Sequence, residues 1–268
     1  MNTYQVTLIT EGVYLIFERA EDVCMYLVVG EKKAALIDGG MGTGNLPGLV
    51  EELLKETSPG GSPQAILPAE GGLPQAVFPL LTHGHGDHYL GMLSYAMIYL
   101  DEADIPLIRS DYEAERKEAE AKGESLPPLP GLLPLSELTD EDRRIDLGGR
   151  HLRIIPIPGH TPGSVGFLLE EDRILFSGDG LTYNVWMQLP ESLPLEDYLR
   201  TLQDLRLIAG DFDRIYTGHS QTPFEAGHLE KVIRLIQKVI DEPFGTPVEE
   251  PFPAIEATGD GCVVTYRL

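Results

Sequence analysis

Hydrophobic positions come first as short runs and then as mixed periods. Val13–Phe17, Met25–Val29 and Ala34–Ile37 are dense in β-branched and aromatic residues, with turn chemistry at Gly30-Glu31-Lys32-Lys33 between the last two, so three short strands are predicted in the first 40 residues. Leu46, Val50, Leu53 and Leu54 fall on one helical face over 46–56, with Asn45 placed to cap it. Periodicity stops over 57–75, where Ser-Pro-Gly-Gly-Ser-Pro and Gly-Gly-Leu-Pro mark a variable loop. The apolar run Ala76–Leu81 predicts a buried strand, and Leu90, Leu93, Met97 and Leu100 predict a helix over 87–100. A further helix is expected from Ser110, capped with Glu113, to Gly123. Four prolines among leucines over 126–135 read as a stiff apolar loop, a connection or a lid. Strands are expected at 151–157, 165–169, 173–176 and 262–266, and helices at 194–208 and 224–241.

Strands and helices alternate through both halves with no evident linker, which predicts one α/β domain over 1–268, with variable loops at about 57–75 and 124–135 and a C-terminal helix and strand in 224–268. Length and an apolar fraction of 42% suffice for a sizeable core. A formal charge of −23 argues against nucleic acid or an anionic membrane as partner, because both are gripped by Lys and Arg clusters. A small-molecule substrate is expected instead. Cys24 and Cys262 are far apart and read as small apolar residues of a reducing compartment. Met1–Phe17 lacks the basic and apolar regions of a signal peptide, and no run approaches 18 apolar residues, so a cytoplasmic location is expected. The apolar strand Cys262–Tyr266 is a candidate edge for a homodimer.

The chemistry concentrates in Leu81-Thr82-His83-Gly84-His85-Gly86-Asp87-His88. His83 and His85, two apart in extended chain, point the same way and can share a metal. Asp87 and His88 follow at a helix start, where they can turn toward a second metal. His160 in Pro-Gly-His-Thr-Pro-Gly, Asp179 in Ser-Gly-Asp and His219 in Thr-Gly-His lie at strand-end turns and would complete two cysteine-free sites. A carboxylate bridging two dications keeps them close, as two-metal hydrolysis requires. His151 and His228 are left outside the site; His228, at the start of a polar-rich helix, is expected to be exposed.

With His83-x-His85-x-Asp87-His88, then His160, Asp179 and His219 in order, and Leu36-Ile37-Asp38-Gly39-Gly40 upstream, the chain resembles the metallo-β-lactamase fold superfamily over about residues 10–220. The resemblance implies an αββα four-layer sandwich, two mixed β-sheets flanked by helices. It implies that His83, His85 and His160 hold one metal, Asp87, His88 and His219 the other, and that Asp179 bridges them. The metals would be two divalent ions, zinc first, with iron or manganese also suited to His and Asp donors. Asp38 matches an acidic position whose carboxylate would accept a hydrogen bond from a ligand histidine, orienting the ring and raising its basicity.

Departures within the family narrow the chemistry. Asp179 stands where the best-known β-lactamases have Cys, against lactam hydrolysis. Only 49 residues follow His219, against the glutathione-binding region of a full glyoxalase II. The acidic charge disfavours transfer-RNA-processing nucleases, and His85 departs from the Glu typical of flavodiiron reductases. The expectation is a dinuclear hydrolase in which a bridging hydroxide attacks the carbonyl of an ester, thioester or lactone. A mononuclear iron persulfide dioxygenase-like enzyme or a small-molecule phosphodiesterase is the alternative. Asp87 would orient the hydroxide or carry its proton; the segment 183–190, with Tyr183 and Trp186, is placed to line a pocket, and Tyr183 would hydrogen-bond an oxyanion.

Overall fold

The computed structural model describes residues 3–57, 77–249 and 252–267. The chain divides into two compact units, Met1–His151 and Leu152–Leu268, each with its own apolar core. The expected loop at about 57–75 lies, beyond Thr57, outside the described residues.

In the first unit, β1 (Tyr4–Thr10), β2 (Val13–Glu18), β3 (Val23–Val29) and β4 (Ala34–Ile37) form an antiparallel meander. The sheet is extended in parallel by β5 (Val77–Leu80), β6 (Met97–Leu100) and β7 (Gly131–Pro134), giving seven strands in sequence order. Every residue of β2 and β4 is buried, as befits interior strands covered on both faces. Helix α1 (Leu46–Thr57) begins where Asn45 accepts from the Gly48 N–H at 3.1 Å. The β4–β5 register pairs Ile37 with Leu80. The two strands are parallel, so their C-terminal ends, carrying Asp38 and Thr82-His83, emerge side by side.

Three expectations change here. Residues 87–100 are not one helix: α2 (Gly86–Tyr89) is a single turn, Leu90–Met92 continue as 3-10 helix, and Met97–Leu100 are β6. The run Met-Ile-Tyr-Leu fits a buried strand better than a helix once it has β5 and β7 to pair with. Helix α3 (Ile105–Ala121) starts five residues before Ser110, because Pro106 sits in the first turn, where the missing N–H costs nothing. The proline-rich segment supplies β7, an edge strand on which prolines are tolerated. Tyr112 donates to the Pro127 carbonyl at 2.8 Å, and Leu126, Leu129 and Leu132 pack on the core, so the segment is anchored and is no lid. The unit ends with β8 (Arg144–Asp146).

In the second unit, β9 (His151–Pro156, beginning at the last residue of the first unit), β10 (Val165–Leu169), β11 (Ile174–Phe176), β13 (Arg214–Thr217) and β14 (Ser220–Glu225) run in the order β14-β13-β11-β10-β9, with β11 and β13 parallel. A further sheet joins β12 (Asn184–Met187), β17 (Cys262–Tyr266), β16 (Ala254–Gly259) and β15 (Thr246–Val248) in that order, beyond the two sheets expected. Strand β17 is thus paired on both sides and fully buried, and offers no edge to a second copy. Helices α4 (Leu195–Arg206) and α5 (His228–Asp241) turn apolar stripes to this unit's core. Helix α5 is shorter than expected because 220–225 turn back as β14 against β13.

Candidate metal centre

Among the described residues, the His and Asp side chains that fall into groups able to hold a metal ion are His83, His85, Asp87, His88, His160, Asp179 and His219. These are the seven expected. Four lie in the first unit, just past the end of β5, and three in the second, where Asp179 and His219 follow the parallel strands β11 and β13 and His160 follows β9.

In the first unit Asp38 is buried and organises the set. Its Oδ1 accepts from the Thr82 N–H at 2.8 Å, and its Oδ2 accepts from the Thr82 hydroxyl at 2.8 Å and from His88 Nδ1 at 2.9 Å. The Thr82 hydroxyl has one proton, and Asp38 takes it. Its contact with His83 Nδ1 at 3.0 Å is therefore made as acceptor, so His83 carries its proton on Nδ1. One carboxylate and one hydroxyl thereby leave Nε2 as the lone-pair nitrogen on both His83 and His88, the tautomer that ligation through Nε2 requires. His83 Nε2 converges with His85 Nδ1 at 3.0 Å, the spacing of two nitrogens that share a proton or a cation. Asp87 Oδ2 stands 3.7 Å from His88 Nε2, and at 31% exposure it is open to solvent while His88 is not.

The loop that carries these groups is tightly held. Asp38 adopts φ 61°, a left-handed conformation that Asp tolerates better than most residues. The Gly39 N–H donates to the His88 carbonyl at 2.7 Å, and the Gly91 N–H to the Gly40 carbonyl at 2.8 Å. Buried Glu18 accepts from the N–H groups of Met41 and Thr43 at 2.6 and 2.8 Å, which fixes the chain just beyond Asp38. Buried Asp104 accepts from the Gly84 N–H at 2.9 Å and fixes the chain between His83 and His85.

In the second unit the parallel register does the positioning. Phe176 pairs with Tyr216, and carried three residues onward the same register sets Asp179 opposite His219. The Gly218 N–H donates to the Gly178 carbonyl at 3.0 Å along that path. Asp179 Oδ2 lies 3.3 Å from His219 Nε2 and 3.7 Å from His160 Nε2. His160 Nδ1 donates to the Trp186 carbonyl at 2.7 Å, and because a carbonyl only accepts, Nε2 keeps its lone pair. The donors of each unit, imidazoles with carboxylates beside them and with the tautomers of His83, His88 and His160 fixed by their partners, are those that divalent cations of borderline softness take.

Tyr183 is half exposed, and its carbonyl accepts from the Val263 N–H. Trp186, in the segment expected to line a pocket, is 42% exposed, and its carbonyl holds His160. His228 is not exposed: it is 4% accessible and stacks on Phe224. His151 is partly exposed, 3.9 Å from Asp146. Sequence reasoning missed Glu18, Thr82, Asp104 and the Trp186 carbonyl. Only Thr82, adjoining His83, carried a signal by position.

The family model of the Metallo-beta-lactamase superfamily matches residues 20–219. The chain is 29% identical over 241 residues to the acyl-coenzyme A thioesterase MBLAC2 of Gallus gallus, an alignment that covers 84% of this chain and 81% of that protein. It is 31% identical over 102 residues to the hydroxyacylglutathione hydrolase GloC of Haemophilus influenzae, covering 38% of this chain and 48% of that one. Among solved structures, a metallo-beta-lactamase family protein of Thermus thermophilus matches with a TM-score of 0.59 at 25% identity, over 87% of this chain and 82% of that chain.

Proposed function

Because the chain belongs to the metallo-beta-lactamase superfamily and is a metal-dependent hydrolase of it, we propose that it hydrolyses the thioester of a small acyl compound, with esters and lactones as neighbouring substrate classes. The observation that carries the reading is the protonation pattern of its histidines: Asp38, Thr82 and the Trp186 carbonyl leave His88, His83 and His160 each with a lone pair on Nε2. Such a pattern has a use in holding cations and little use in packing.

In this reading His83, His85 and His160 would hold one divalent metal and Asp87, His88 and His219 a second, with Asp179 as a ligand available to both. Zinc is the first choice. When bound, the cations supply Lewis acidity, polarising the substrate carbonyl and lowering the pKa of water to about 7. Asp87, the solvent-accessible carboxylate of the first unit's set, takes up the proton that water loses and delivers it to the leaving sulfur. A thiol leaves readily because its pKa is near 8.5, which favours thioesters over amides. Tyr183 presents its phenol as a donor to the oxyanion. The names of the MBLAC2 and GloC relatives support a thioester, since one is an acyl-coenzyme A thioesterase and the other a hydroxyacylglutathione hydrolase.

Metal content of protein purified without added metal, read by plasma mass spectrometry, tests the reading together with a panel of acyl thioesters, esters and lactones. Two zincs per chain and thiol release from thioesters are expected. A single iron with oxygen consumption on a persulfide would replace the hydrolytic reading with sulfur oxygenation, and no metal with no uptake on titration would end it.

A further inference from the structure

Asp179 sits in the short turn Gly178–Leu181, and the carbonyls of that turn are held from outside it. The Gly218 N–H takes the Gly178 carbonyl, and the Tyr198 hydroxyl from α4 takes the Gly180 carbonyl. The Leu181 carbonyl, in a fully buried residue, accepts from His228 Nε2 at 3.1 Å.

His228 is the first residue of α5 and its ring lies flat on Phe224, with centroids 4.1 Å apart and planes 14° from parallel. Burial pushes its pKa below the ordinary imidazole value, against the pull of the Thr182 and Leu181 backbone, so the ring is neutral at pH 7 and has one N–H to give. The carbonyl it faces can only accept, which assigns that proton to Nε2. A ring used only as filler needs no partner for its nitrogen, and Phe would fill the same stack. The donor is what distinguishes His at this position.

We propose that His228 is a positioning residue for Asp179: its Nε2–H fixes the Leu181 carbonyl, and with it the end of the turn that aims the Asp179 carboxylate. The inference rests on the reading of Asp179 as a metal ligand. The turn has only four residues, so a carbonyl released at Leu181 re-orients the peptide two residues from the carboxylate, and ligand aim is what sets metal affinity.

The test uses the full chain as wild type and as His228→Phe, His228→Gln and Asp179→Asn. Zinc affinity is read by competition with a chromophoric chelator, and ligand geometry by the visible spectrum of the cobalt-substituted protein; neither depends on turnover. His228→Phe keeps the stack and loses the donor, and is expected to weaken zinc at one site by about 10–100-fold and to shift the cobalt spectrum in the direction that Asp179→Asn does. His228→Gln, which restores an N–H at similar reach, is expected to stay within about threefold of wild type. Should the Phe variant not fold, His228→Asn, whose shorter amide falls short of Leu181, takes its place with the same expectation. Wild-type affinity and spectrum in the donor-free variant overturn the proposal. A Gln variant as weak as the Phe variant overturns it too, since packing and not the hydrogen bond would then be at work. Wild-type protein that holds no zinc, or Asp179→Asn with unchanged affinity, locates the failure in the ligand reading of Asp179, and the proposal falls with it.

Discussion

A carboxylate at φ 61° with three donors on its two oxygens is an expensive arrangement for a turn, on the order of 1–3 kcal/mol in backbone strain alone. Asp38 keeps it because the hydrogen bonds over-determine its position, and what they determine is the protonation of two imidazoles. The relevant property is charge as well as shape: a carboxylate makes His88 a stronger base than an amide would. Asp38→Asn tolerates the same backbone conformation and nearly the same outline, yet it offers one acceptor and one donor group where the native side chain offers two acceptors. The expected result is a loss of zinc affinity of about 10–100-fold, measured by chelator competition, with a smaller effect on thermal stability measured on the metal-free protein. Equal metal affinity in the variant would show that His88 needs no carboxylate to orient it.

Elements, not single residues, explain why the ligands meet within each unit. Parallel pairing of β4 with β5 sets Asp38 beside Thr82, and parallel pairing of β11 with β13 sets Asp179 opposite His219. The motif residues were legible because chemistry-bearing types are rare and were clustered or followed apolar runs. The pairing was not legible, since registers are made by contacts between distant segments, as Asp38 and Thr82 are, 44 positions apart. The same limit explains the misread helix at 87–100: Leu90, Leu93, Met97 and Leu100 have helical spacing, but β5 and β7 draw Met97–Leu100 into the sheet. Strands β15 and β16 and the interior place of β17 also passed unseen, because half-exposed strands with Pro, Thr and Gly have weak patterns. The burial of His228 is not legible from α5 alone, where Glu230 and Lys231 stand beside the buried Leu229 and Val232, because the buried carbonyl it donates to lies 47 positions away. The Asp38 loop and the 3-10 turn Leu90–Met92 also explain a glycine: a Cβ at Gly91 would collide with the Gly39 carbonyl oxygen, so Gly91 is what lets the two segments lie together beside Asp38. Gly91→Ala is expected to cost about 1–3 kcal/mol in denaturant unfolding and to lower metal affinity, because the relief available is to push the Asp38 loop away from His88. A variant of native stability and full metal content would show that the loop tolerates the shift.

For the molecule as a whole the dominant quantity is its charge of −23. Surface ion pairs such as Lys55–Glu51 and Arg116–Glu120 neutralise individual helix faces and leave the net field intact. That field acts on substrates according to their own charge. A thioester on an anionic carrier is repelled during its approach, whereas a neutral acyl thioester or a lactone is not, and the distinction separates substrate classes that the ligand set alone treats alike. Raising ionic strength from about 0.01 to 0.1 M shortens the screening length from about 30 to about 10 Å, so kcat/KM for an anionic thioester is expected to rise by about two- to tenfold while that for a neutral one stays nearly level. The comparison is made on two thioesters of the same acyl group with charged and uncharged thiols, which cancels any effect of salt on the chemistry. A rate for the anionic substrate that falls with salt would mean that a cationic entrance outweighs the net charge, and would make anionic carriers the favoured partners of this site.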